Sequence, residues 1–284
     1  MSAALAGGLL LALASAAALN WSYFVQHGVA SALPPLTLRR PLASLRLLFG
    51  NLRWLVGFVV GIGGWVLYVA ALALAPLSLV QAASAGGIGL LALLASRHTR
   101  LTGLERRGVA VAIVGLVLLG ISLAGRTTTA TAGDWVAVAV WIAVSAAVAG
   151  VAASRRSAAG LGIAAGVLYA AGDVATKAAV HGGARLGFVP VLLACHGLAF
   201  VALQLGFQRG GVLATAGLAT LFTNALPIAA GTTLFGEGLG SLPVVRVLAF
   251  ACTVAGAALL ARPGEPEPAP PVVLPATARP IPFD

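Results

Sequence analysis

The run GLGIAAGVLYAAGDVATKAAV, residues 160–180, decides the fold. It is apolar and rich in Gly and Ala, and it reaches the roughly 20 residues that a bilayer-spanning helix needs. Within it stand Asp173 and the chain's only lysine, Lys177, four residues apart on what should be one helix face. Charges are costly inside a membrane, and those that occur there mark ion or substrate paths or pair with one another.

The rest of the chain agrees with a membrane reading. Of 284 residues, 60% are hydrophobic and 8% charged, with a mean hydropathy of +1.03. A soluble domain carries about 25% charged residues. The formal charge of +10 raises the question of nucleic acid, but the arginines lie between apolar runs and not on one patch interleaved with aromatics. Membrane topology accounts for them, so a nucleic-acid partner is excluded. Cys195 and Cys252 fall inside apolar runs with no CxxC or metal spacing, and read as small buried residues.

Nine runs meet or approach the length of a span: 3–25, 54–75, 77–95, 108–124, 135–153, 159–180, 188–207, 212–235 and 242–260. The first lacks a positive n-region and stays apolar past Ala14-Ser15-Ala16, which favours a retained span over a cleaved signal. Residues 30–52 hold Pro34, Pro35, Arg39, Arg40, Pro41 and Arg46 among leucines. They read as an interfacial amphipathic segment and not a tenth span.

Arginine placement then orients the chain. The connections after spans one, three, five and seven, with the C-terminal tail, carry Arg39, Arg40, Arg46, Arg53, Arg97, Arg100, Arg106, Arg107, Arg155, Arg156, Arg209, Arg262 and Arg279; the other side has Arg126, Arg185 and Arg246. The positive-inside rule makes the first side cytoplasmic, with the N-terminus outside and the C-terminus inside a plasma (inner) membrane. The tail, residues 263–284, is rich in proline and reads as a disordered extension.

The spans group as four, one and four. Ser22, Tyr23, Phe24, Val25 and Gln26 near the end of span one align with Asp173, Val174, Ala175, Thr176 and Lys177 near the end of span six, and VGLVLL (114–119) aligns with AGAALL (255–260). Two four-helix units of opposite orientation are the plan of many secondary transporters, with the substrate site between them near the midplane. The expected architecture is therefore an all-α polytopic bundle of nine spans. It divides into a first repeat (1–125), a linking helix (126–157), an inverted second repeat (158–262) and the tail.

At these residues the chain resembles the drug/metabolite transporter superfamily (DMT, EamA-like), and within it the nine-span NIPA-type magnesium transporters. Ser22 through Gly28, SYFVQHG, is similar to the S-F-x-L-K-K-K-G that ends the family's first helix. Ala73, Leu74, Ala75 and Pro76 resemble its A-x-A-P, and Asp173 to Lys177 fall where it has a polar residue followed by lysine. Thr223, Asn224 and Pro227 resemble T-N-x-x-P, and Phe235, Gly236 and Glu237 resemble F-G-E. Gln26 and His27 stand where the family has lysines, and Trp65 and Tyr68 where magnesium-type members have Glu and Asn. The resemblance implies alternating-access transport of a small polar or amphipathic solute. A NIPA-like magnesium carrier is the alternative, and a non-transporting membrane scaffold is a third reading from another class.

The candidate residues follow from cost and position. Asp173 is either a proton- or cation-coupling group or half of a structural ion pair. Lys177 is its counter-charge, a carboxylate anchor, or a snorkelling residue near the outer surface. His196, in the seventh span, relays protons, binds substrate or packs. The amides Asn20, Gln81, Gln204 and Asn224, with Gln26 from the resemblance, line a polar cavity or join helices. Pro227 offers a local break of span eight near Asn224. Trp65 and Tyr68, three apart, are the aromatic pair for stacking an organic solute. Glu237 reads as an exposed residue at a span end.

The sequence has no G-x-x-x-x-G-K-[ST], H-E-x-x-H or G-x-S-x-G, so neither an ATP-driven pump nor an enzyme is expected, and no cofactor or metal site. The expected partners are the bilayer and a small-molecule solute or cation, and a homo-oligomer is compatible with the plan.

Overall fold

The structure is a computed structural model that describes residues 3–37, 39–75, 77–84, 86–97, 100–123, 131, 133–237 and 242–262. The readings made for Pro76, Arg126, Arg279 and the proline-rich tail lie outside the described residues. Among those described there are α-helices α1 (Ala3–Ala30), α2 (Pro41–Phe49), α3 (Leu52–Leu74), α4 (Leu77–Ser84), α5 (Gly87–Ser96), α6 (Gly103–Leu123), α7 (Trp135–Ser154), α8 (Ala158–Ala179), α9 (Val189–Phe207), α10 (Leu218–Leu234) and α11 (Pro243–Ala261), and no strand.

Polar residues just ahead of the apolar runs set the helix starts. Asn51 accepts the Trp54 N–H at 3.1 Å, Asp134 that of Ala137 at 2.8 Å, and Ser157 that of Gly160 at 3.0 Å. Each satisfies one of the donors that a first helical turn leaves free. Thr102 and Glu105 form a reciprocal capping box at α6, with bonds of 3.2 and 2.8 Å.

Among the described residues, eight helical segments are long and apolar enough to cross a membrane, and the protein is an all-α multi-pass bundle. The expected fourth span, 108–124, falls on α6 and ends past the described residues. The expected third span contains two helices, α4 and α5. The expected interfacial segment contains α2, whose Leu42, Leu45 and Phe49 are exposed, as a helix lying at a bilayer surface requires. Proline does not break α10, which runs through Pro227 from Leu218 to Leu234; a π-turn over Leu213–Gly217 precedes it.

α8 and α10 form the centre. Of α8's span-length window 83% is buried, against 17% for α7. α7 exposes Val136, Val140, Val144, Val148 and Val151, an apolar surface with no use in water and suited to lipid. Gly162 lets α8 approach the π-turn at Thr215, and Gly166 lets it approach α10, since a Cβ at Gly166 would stand 2.6 Å from the Ala219 carbonyl oxygen. α1 packs along α3 and against α4 and α5; α8 packs along α9 and against α7 and α10; α6 packs along α11.

Two large apolar clusters divide the bundle along its axis. One gathers Ala30, Trp54, Ala95, Leu161, Phe207, Leu213 and Leu260; the other gathers Ala12, Leu72, Leu77, Ala178, Phe188 and Phe235. The described arginine-rich connections therefore share one end. There Gln208 ties the turn after α1 to α9, accepting the Leu36 N–H at 2.7 Å and donating to the Ala30 carbonyl at 3.1 Å.

Candidate functional site

α1, α3, α4, α8, α9 and α10 enclose a cavity of about 420 Å³ that reaches Leu45 and Phe49 of α2. Of the residues singled out from sequence, Asn20, Gln26, Trp65, Tyr68, Gln81, Asp173, His196 and Asn224 line it, and Lys177, Gln204 and Glu237 do not.

Asp173, 3% exposed, is held by two other helices. Gln81 of α4 donates through Nε2 to Asp173 Oδ2 at 3.0 Å and to the Tyr68 hydroxyl at 2.6 Å, which uses both of its amide hydrogens. Tyr68 of α3 is thereby joined to the carboxylate through the Gln81 amide. His196 of α9 places Nε2 3.6 Å from Asp173 Oδ1, while its Nδ1 lies 2.8 Å from the Leu192 carbonyl. Because a carbonyl only accepts, Nδ1 carries a hydrogen, and Nε2 then faces a carboxylate oxygen. The imidazole and the carboxylate thus face each other across the cavity wall from separate helices.

The imidazole sits between Trp65 and Tyr169, with ring centroids 5.7 and 5.6 Å away, both edge-to-face. Gly172 makes this possible: a Cβ there would overlap the His196 ring. Gly87 leaves room for Asn20 in the same way.

Further along the wall, Thr220 donates to Asn20 Oδ1 at 3.2 Å, and Asn20 donates to the Ala16 carbonyl at 2.9 Å. Asn224 donates to the Thr220 carbonyl at 2.6 Å and leaves its Oδ1 without a partner. A third set runs from Trp54 Nε1 to Gln204 (3.1 Å), from Gln204 to Gln26 (2.6 Å) and from Gln26 to the Ser22 hydroxyl (2.7 Å). Gln204 does join helices, as one of its two readings had it. Phe49, Trp54, Phe58 and Phe200 pack edge-to-face and stacked beside it, with centroids 5.0 to 6.0 Å apart.

Three sequence expectations are corrected here. No ion pair joins Asp173 to Lys177 among the described residues, since Asp173 is engaged by Gln81 and His196. Lys177, 6% exposed, does not snorkel to the surface; it is buried within the field of Glu237. Glu237 in turn is no exposed end residue. It is 2% exposed, and its Oε1 accepts the Leu77 N–H at 2.9 Å at the start of α4. The segment folds inward because Glu237 N–H bonds the Gly231 carbonyl at 2.9 Å and Phe235 carbonyl accepts from Thr131 at 2.9 Å.

Sequence reasoning passed over Tyr169, Ser15 and Thr220, which line the cavity. Tyr169 was detectable, standing one turn before Asp173 on the same face. The hydroxyls were not, since Ser and Thr in Gly/Ala-rich helices look like packing residues. No family model, curated protein or solved structure matches the chain.

Proposed function

We propose that this protein is a secondary transporter of the drug/metabolite type, which carries a small amphipathic solute through the central cavity by alternating access. The observation that supports this best is the cavity itself, whose wall unites a buried acid, Asp173, with the imidazole of His196, 3.6 Å away on a separate helix. Solute binding that changes a proton's place couples the two fluxes. The parallel packing of α1 on α3 and α8 on α9, with α6 on α11, fits two repeats. The arginine-rich end is the cytoplasmic one, in a plasma membrane, by the positive-inside rule.

A magnesium carrier ranks second, because a hard divalent ion takes several oxygen ligands and Asp173 is the only carboxylate among the lining residues. A scaffold has no use for a buried acid beside a cavity. The test is solute-driven proton movement into proteoliposomes loaded with a pH-reporting dye, across a panel of small metabolites and magnesium. Wild-type protein responds to an organic solute and Asp173→Asn does not; a variant with an unchanged response and pH dependence would remove Asp173 from the mechanism.

A further inference from the structure

The cavity wall is one-sided in charge. The chain has 17 Lys and Arg residues and a formal charge of +10, yet none of these cations is among the described residues that line the cavity. The wall offers acceptors instead. Asp173 presents a carboxylate. Asn224, 4% exposed, has Oδ1 unpartnered, and its orientation is fixed because the amide nitrogen must face the Thr220 carbonyl. Pro227 has no N–H to give the Thr223 carbonyl four residues earlier, so α10 withholds that acceptor's usual helical donor where Thr223 meets the cavity. Among the buried side-chain atoms left without a partner, the lining holds one donor, Trp65 Nε1.

A buried acceptor left unpaired carries a desolvation cost, and a ligand that donates to it relieves that cost. Aromatic faces beside a carboxylate further favour a cation. We infer that the solute is a primary or secondary ammonium on an apolar or aromatic body. Its N–H groups go to Asp173 and Asn224, and an oxygen acceptor on the body meets Trp65. This rests on the transport reading for its setting, but commits to more, namely a positive charge with N–H donors. A quaternary ammonium has the charge without the donors; a carboxylate brings a negative charge to a wall with no lysine or arginine.

The test is equilibrium binding and thermal stabilisation of the purified full-length protein with butylamine, phenethylamine and tyramine, against N,N,N-trimethyltyramine and 4-hydroxyphenylpropionate. The amines bind, with tyramine the tightest; the quaternary analogue is about tenfold weaker, as loss of one good hydrogen bond implies, and the carboxylate does not bind. Asn224→Leu weakens tyramine about as much and leaves the quaternary analogue unchanged. Equal binding of tyramine and its quaternary analogue to wild-type protein overturns the proposal whether or not the variant folds. So does tighter binding of the carboxylate, or no binding by any amine. Proton coupling to a neutral or anionic solute in the proteoliposome assay would sink this inference and leave the transport reading standing, whereas amine binding without any flux would sink transport alone.

Discussion

Gly166→Ala tests the closest contact of the two central helices. The added Cβ would lie 2.6 Å from the Ala219 backbone oxygen and 2.7 Å from Phe222 Cβ, where ordinary contacts begin at 3.4 Å. Backbone cannot swing aside as a side chain can, so α8 and α10 must part by something near the shortfall. Overpacking of this kind costs about 1–3 kcal/mol. Replacing Gly by Ala in a helix also gains up to about 1 kcal/mol in propensity, so the reference must be another glycine. Gly150 on α7 serves, because a Cβ there meets nothing within 4 Å. The two variants share the propensity gain, and their difference isolates the contact. At about 2–4 °C per kcal/mol for a chain of this size, Gly166→Ala should melt about 2–12 °C below Gly150→Ala in the same detergent. Separation should also move Asp173 on α8 from Asn224 on α10, and amine binding should fall with stability. Equal melting temperatures would refute the close packing of α8 on α10, and with it the cavity built between them.

Glu237→Ala should destabilise the protein by roughly 1–3 kcal/mol, because it leaves the Leu77 N–H unpaired and Lys177 without its opposing charge; Glu237→Gln, which keeps the acceptor, should lose less. Equal losses in a denaturation assay would show that the bond to Leu77 contributes nothing. Cysteines placed at Arg100 and Arg185, in a background without Cys195 and Cys252, should label from opposite sides of the membrane with an impermeant thiol reagent. Labelling from one side would overturn the topology.

Much of the site could be read from the chain because the signals were local. An acid, an imidazole and several amides inside apolar runs are costly wherever they point, and of the residues chosen on that ground Asp173, His196, Asn20, Gln81 and Asn224 line one cavity, whereas Lys177 and Gln204 do not. Lys177 misled because spacing of four places two residues on one face without saying what else arrives there. Two helices supply better partners to Asp173, and the segment after α10 brings Glu237 to Lys177. Glu237 misled because its position near a span end says nothing about whether the following backbone turns outward or folds in.

Hydropathy and arginine placement are properties of single segments, so the sequence by itself determined a multi-pass helical membrane protein, its approximate spans and the buried acid that needs an explanation. Which side chains meet depends on how each helix is rotated about its axis and how close its neighbours come. Only the tertiary structure decided that: glycines at 162, 166 and 172 admit a neighbouring helix or an imidazole, and through that close packing Asp173 acquires His196 and Gln81 as partners in place of Lys177.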